Sequence, residues 1–83
     1  MVPDPRRRVR LYHATDCTLC ARAIEVVSDL QEELGFDLEL VDIGGDPVLQ
    51  EQYRAEIPVV DVDGHRSFTY FVDADALRDR LAG

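Results

Sequence analysis

The two cysteines of this chain, Cys17 and Cys20, stand three positions apart, and no other feature of the 83 residues restricts the fold as much. Just before them, Val9-Arg10-Leu11-Tyr12-His13 reads as a strand, with Val9 and Leu11 as its apolar positions. Just after them, Ala21 to Leu34 reads as an amphipathic helix. Cys20, Ala23, Ile24, Val27, Leu30 and Leu34 recur at three- and four-residue steps and share one face. Arg22, Glu25, Asp29, Glu32 and Glu33 lie mostly away from that face, and Gly35 supplies the C-terminal stop. Thr15 and Asp16 are the N-cap candidates. A cysteine pair at such a junction meets backbone N–H groups that lack helical partners and a dipole that favours negative charge. Those conditions make a thiolate available.

The rest of the chain has to complete a small domain around this strand and helix. Asp37 to Ile43 is apolar enough, through Leu38, Leu40, Val41 and Ile43, for an interior strand beside the first. Strand, helix and strand then make a right-handed parallel crossover. Gly44-Gly45 turns the chain, and Asp46 caps a short helix with Pro47 in its first position and Val48, Leu49 and Tyr53 on its buried side. Pro58 to Val62 is a third strand, Asp63-Gly64 a hairpin turn, and Arg66 to Tyr70 the return strand. Asp73 caps a last helix that packs Leu77 and Leu81 inward and carries Arg78 and Arg80 in its final turn. The expectation is an α/β fold of order β-α-β-α-β-β-α, a mixed four-stranded sheet with helices on its faces. Residues 9–83 form the single domain and residues 1–8 a flexible lead-in. Its arginines are read as a solvated tail, with a docking patch for an acidic partner as the alternative.

Composition narrows the function classes. A net charge of −8 argues against nucleic acid, because phosphate binding needs clustered cations. All nine cations are arginines, which excludes any site built on a lysine. No apolar run approaches a membrane span. Met1 to Arg10 has no apolar stretch like that of a secretory signal, so the expected compartment is the cytoplasm. There a close cysteine pair is more often redox-active or metal-binding than a structural staple.

The chain resembles the thioredoxin superfamily, and most closely its small bacterial glutaredoxin-like proteins. Leu11-Tyr12, Cys17-Thr18-Leu19-Cys20, Val41-Asp42-Ile43, Ile57-Pro58-Val59-Val60 and Asp63-Gly64 carry the likeness, in the family's order, from Val9 to about Leu81. The resemblance implies a thioredoxin-like fold and a thiol–disulfide oxidoreductase. In it Cys17 attacks a substrate disulfide and Cys20 resolves the mixed disulfide. Pro58 is then the family's cis-proline, facing the cysteines, and the backbone of its neighbour Ile57 pairs with an extended substrate segment. Thr18 and Leu19, between the cysteines, complete the implied substrate-binding set. Without the resemblance, Pro58 reads as a trans proline opening an edge strand.

No cofactor is expected. The implied partners are a protein or small-molecule disulfide substrate and a reductant, either glutathione or a thioredoxin-reductase-type system, acting on a monomer. Family members that use glutathione usually have a cation near the first cysteine and a Gly-Gly turn ahead of the last helix. Here His13-Ala14-Thr15 precedes the pair, Phe68 to Asp73 precedes the last helix, and Gly44-Gly45 lies elsewhere. Asp16 opposes ionisation of Cys17 and is read as a cap; Arg22 is read as a surface residue near Glu25. Two other classes remain open. His13, Cys17, Cys20 and His65 are a conceivable zinc set, with His13 otherwise a strand-end residue and His65 a turn residue. Alternatively the domain is a thioredoxin-fold adaptor that binds without turnover. Tyr12, Phe36, Tyr53, Phe68, Tyr70 and Phe71 are read as core and rim packing, the last two as a possible flank of a substrate groove.

Overall fold

The computed structural model describes residues 7–82. Strand β1 is Arg8–His13, helix α1 Thr18–Leu34 and strand β2 Asp37–Asp42. A single 3-10 turn, Ile43–Gly45, leads to helix α2, Pro47–Tyr53. Strands β3 (Val59–Val62) and β4 (His65–Thr69) form the hairpin, and helix α3 is Ala74–Ala82. The order is the β-α-β-α-β-β-α expected from the sequence.

The local chemistry explains each boundary. Gly35 closes α1 at φ 77°, a left-handed conformation that costs glycine little, and its N–H returns to Gln31 O at 2.8 Å. Asp46 Oδ1 accepts from the N–H groups of Val48 and Leu49, with Pro47 in the first turn where a missing N–H is harmless. Asp73 Oδ1 does the same for Asp75 and Ala76 at the start of α3. At the hairpin, Asp63 and Gly64 both take positive φ, 52° and 85°, the twist that a two-residue turn requires.

The four strands lie in the order β2-β1-β3-β4, with β1 parallel to β2 and antiparallel to β3. One face packs on α1 and α3 through Val9, Leu11, Val27, Leu30, Val60 and Leu77, all nearly or wholly inaccessible. The other face is smaller and buries Tyr12, Ile43 and Val59 beneath Leu49, Tyr53 and Ile57. Tyr12 stacks on Tyr53 with centroids 4.0 Å apart, and the Arg66 guanidinium lies 5.3 Å from the Tyr53 ring centroid. Hydrogen bonding with the Tyr12 hydroxyl, then burial, pushes the Tyr53 phenol above its ordinary pKa. Glu33 of α1 and Asp75 both bind Arg78, joining the two helices.

Two expectations need correcting. β2 is an edge strand, because β3 occupies the other side of β1 and no further described strand exists to pair with β2. Leu40 is consequently 45% exposed, although it sits beside the fully buried Leu11. The edge carries Asp37, Glu39 and Asp42, charges that discourage pairing with another chain. On α2, Val48 is exposed rather than buried; one short helix turns only Leu49 and Tyr53 towards the sheet.

Of the lead-in expected over residues 1–8, residues 1–6 lie outside the described residues. Arg8 opens β1. Arg7 bonds Asp63 at 2.6 Å and donates to the carbonyls of Arg80 and Leu81, a favourable place for a cation at a helix C-terminus. No described helix is long and apolar enough to cross a membrane.

Candidate functional site

β1 delivers the chain to the cysteine turn. Tyr12 pairs with Val59, so the next step of that register sets Pro58 opposite His13, at the strand end from which the turn departs. The Ile57-Pro58 peptide bond is cis, as the resemblance implied. Pro58 is fully buried, and its carbonyl accepts from the N–H of Tyr70 at 2.9 Å. Ile57, just before it, is half-buried against the Tyr12 cluster. Its main chain makes no backbone hydrogen bond with the other described residues.

Cys17 and Cys20 form a disulfide with their Cα atoms 5.1 Å apart. Their surroundings differ. Cys20 is 1% exposed and belongs to the inner face of α1, whereas Cys17 is only half-buried. Cys17 is itself the N-cap of α1: its backbone is extended, and its Sγ accepts from the N–H of Cys20 at 3.1 Å. The cap expected at Thr15 or Asp16 is therefore one or two residues later. Asp16 is an exposed turn residue at φ 61°, a conformation aspartate tolerates better than most side chains. With its backbone turned left-handed, Asp16 serves to redirect the chain while the sulfur takes the capping role.

Thr18 and Leu19, expected at the substrate, are exposed and half-buried respectively. Together with Arg22, Ala23, Val26, Tyr70, Phe71 and Val72 they line a groove of about 360 Å³ between the start of α1 and the segment leading into α3. Phe71 is 72% exposed and Tyr70 44%. Tyr70 takes φ 67°, unusual for an aromatic residue, and is held there by two bonds. Besides its N–H, its hydroxyl donates to Ala55 O at 3.0 Å. Thus a tyrosine tied to the cis-proline loop occupies the segment ahead of α3, where the sequence has no Gly-Gly. Arg22 is exposed and forms no ion pair with Glu25 or any other described carboxylate. The membership of Arg22, Val26 and Val72 in the groove was missed at the sequence level, although the steps from Thr18 to Arg22 and Val26 are helical neighbours.

The conceivable zinc set does not assemble. His65 pairs with Val62, which pairs with Val9, at the start of β1; His13 ends that strand and the cysteines lie beyond it, at the opposite end. Both sulfurs are also bonded to each other. A larger hollow of about 770 Å³ likewise lies away from the disulfide, at the Arg8 end of the sheet. Arg8 and Arg10 there are matched by Asp37 and Glu39 across the β1–β2 register.

Known proteins agree with this architecture. An uncharacterized protein of Mycobacterium tuberculosis, Rv0508, is 33% identical over 82 residues, spanning 93% of this chain and 84% of that protein. The solution structure of Ne2328 from Nitrosomonas europaea superposes with a TM-score of 0.75 at 28% identity, over 92% of each chain. A mutant thioredoxin from Halobacterium salinarum, 23% identical, shares the fold with a TM-score of 0.69, covering 95% of this chain and 74% of that one. The sequence profile described as "Glutaredoxin-like domain (DUF836)" matches residues 8–82. With that profile spanning nearly the whole chain, and a thioredoxin-like fold around a Cys-x-x-Cys turn, the protein belongs to the glutaredoxin-like domain family.

Proposed function

We propose that the protein is a dithiol thiol–disulfide oxidoreductase. The observation that carries this reading is the asymmetric pair at the head of α1, a half-buried Cys17 that caps the helix and a buried Cys20 bonded to it. In the reduced protein the Cys20 N–H and the positive end of α1 stabilise a Cys17 thiolate. That thiolate attacks one sulfur of a substrate disulfide, forming a mixed disulfide and releasing the first substrate thiolate. Cys20 then gives up its proton and attacks Cys17 Sγ, closing the intramolecular disulfide and releasing the second substrate thiolate. Two electrons have passed to the substrate. The bonded pair described above is the oxidised product, which a reductant such as glutathione or a thioredoxin-reductase-type system reopens.

Access sets the direction of attack, since Cys20 is sealed against α1's inner face while Cys17 meets solvent. Thr18 and Leu19 lie beside the attacking sulfur. The Ile57 main chain, left without a backbone partner, is suited to pair with an extended substrate segment next to Pro58. The domain acts as a monomer in the cytoplasm.

The test is disulfide reduction in insulin, run separately with glutathione and with a thioredoxin-reductase system. Activity with at least one is expected, together with its loss in Cys17→Ser and accumulation of a covalent substrate adduct in Cys20→Ser. Inactivity with both systems refutes the oxidoreductase and leaves the adaptor, which retains partner binding in Cys17→Ser.

A further inference from the structure

The arginines of this acidic chain are mostly committed. Arg7, Arg8, Arg10, Arg66 and Arg78 each bind a carboxylate among the described residues. Arg22 does not, and it stands on the wall of the groove that begins at Thr18 and Leu19, the residues between the cysteines. Four residues along a helix are about 6 Å, so the Cα of Arg22 lies roughly one turn from that of Thr18. Across the groove stand Tyr70, Phe71 and Val72, with Leu19, Ala23 and Val26 completing an otherwise apolar lining. An exposed apolar patch rimmed by one unpaired cation is suited to an apolar side chain beside a carboxylate.

We infer that this groove reads the sequence around the disulfide of a polypeptide substrate, seating an apolar side chain against Phe71 and Val26 and an acidic side chain on Arg22. The inference rests on the oxidoreductase reading and adds a substrate class to it. Charge decides where the acid must lie. A chain of net charge −8 repels acidic partners in general, and Asp16 adds a local negative charge at the cysteine turn. Within this groove a substrate carboxylate is therefore favoured where it reaches Arg22, the one arginine of the lining. The lining also distinguishes a protein segment from glutathione, a tripeptide with carboxylates but no bulky apolar side chain. Volume agrees, because about 360 Å³ is at the small end of ligand pockets and suits one or two side chains.

The experiment uses short peptides in which a cysteine is followed, across a spacer of varied glycine number, by Leu-Glu, Leu-Gln, Leu-Lys or Ser-Glu. Each is activated as its neutral 2-thiopyridyl mixed disulfide, and release of thiopyridone reports the attack of reduced protein on the peptide sulfur. The Leu-Glu to Leu-Gln rate ratio is read within each protein, so differences in intrinsic reactivity between variants cancel. An exposed ion pair gives a ratio of about two to five in the native protein, fading with salt. Arg22→Gln brings that ratio to about one, and Arg22→Glu inverts the preference towards Leu-Lys. Phe71→Ser removes the preference for Leu-Glu over Ser-Glu. A native ratio of one at every spacing, or a ratio that survives Arg22→Gln, overturns the inference. So does an equal loss with the glutathione mixed disulfide, which would assign Arg22 to a small thiol. These failures differ from failure of the underlying reading, which would appear as no exchange with any peptide or with neutral dithiodipyridine.

Discussion

Leu11 and Leu40 offer a direct test of how the sheet is bordered. They are register partners on neighbouring strands and point to the same face, yet Leu11 is 0% and Leu40 45% exposed. Replacing each with alanine removes the same atoms from two different environments. For Leu11 the loss combines transfer of about three carbons, near 2.4 kcal/mol, with a cavity walled by α1 and α3, giving about 3–4 kcal/mol in all. For Leu40 a little over half of the transfer applies and the gap opens to water, so about 1 kcal/mol is expected. An 83-residue domain holds only about 4–12 kcal/mol in total, so the first variant approaches the limit of folding. Urea denaturation of both, with Leu11→Val as a milder companion, measures the difference as a shift in midpoint at constant slope. In thermal melts Leu40→Ala should lower Tm by about 4–8 °C and Leu11→Ala by two to four times as much. Equal costs would refute the reasoning: Leu40 would then be buried in solution, with β2 covered by another surface. A second copy as that cover would betray itself by a Tm that rises with protein concentration.

Three further perturbations probe the turns and the smaller face. Asp73→Ala strips the N-cap from α3 and should cost about 1 kcal/mol in chemical denaturation, with Asp73→Ser restoring most of it; no loss would mean that the cap bonds are dispensable. Gly35→Ala meets no atom within 4 Å but must adopt φ 77°, so about 1 kcal/mol of backbone penalty is expected without any change in the near-ultraviolet spectrum. The Tyr53 phenol, raised first by hydrogen bonding with Tyr12, should titrate above an ordinary tyrosine, and Tyr12→Phe should bring it down. Because its folded-state pKa lies above the unfolded value near 10, the associated stability is full below that pH and disappears as pH rises through the folded value. A Tyr53 phenol that titrates at the ordinary value, or an alkaline melt unchanged by Tyr12→Phe, would contradict this.

Much of the fold was legible because its signals are local. The three- and four-residue spacing of α1, the Asp-Pro start of α2, Asp63-Gly64 and the Asp73 cap each act over a few positions, and the structure realises all of them. Strand order is not local. Leu38, Leu40 and Val41 look interior because apolar content reports that a side chain needs cover, not whether a helix or another strand supplies it. The helix cap was misassigned for a related reason. Asp16 has the stronger capping side chain, but whether it can cap depends on its backbone, and only the folded turn reveals its positive φ. At the site, the cysteine pair and the Ile57-Pro58 bond were visible through pattern and resemblance. The groove was not, since it joins Arg22 of α1 to Phe71 nearly fifty residues later, and no periodicity links them. Tyr70 was equally opaque, because a tyrosine in a glycine-like conformation is sustained by bonds to Ala55 and Pro58 that arise only after folding.

The sulfur of Cys17 doubles as the first cap of α1, the longest of the described helices. The Cys20 amide points at that atom in the bonded pair, and an ionised thiol at the same place would accept the same proton more strongly. On the proposed chemistry the start of the helix therefore keeps its cap whether the sulfurs are bonded or apart.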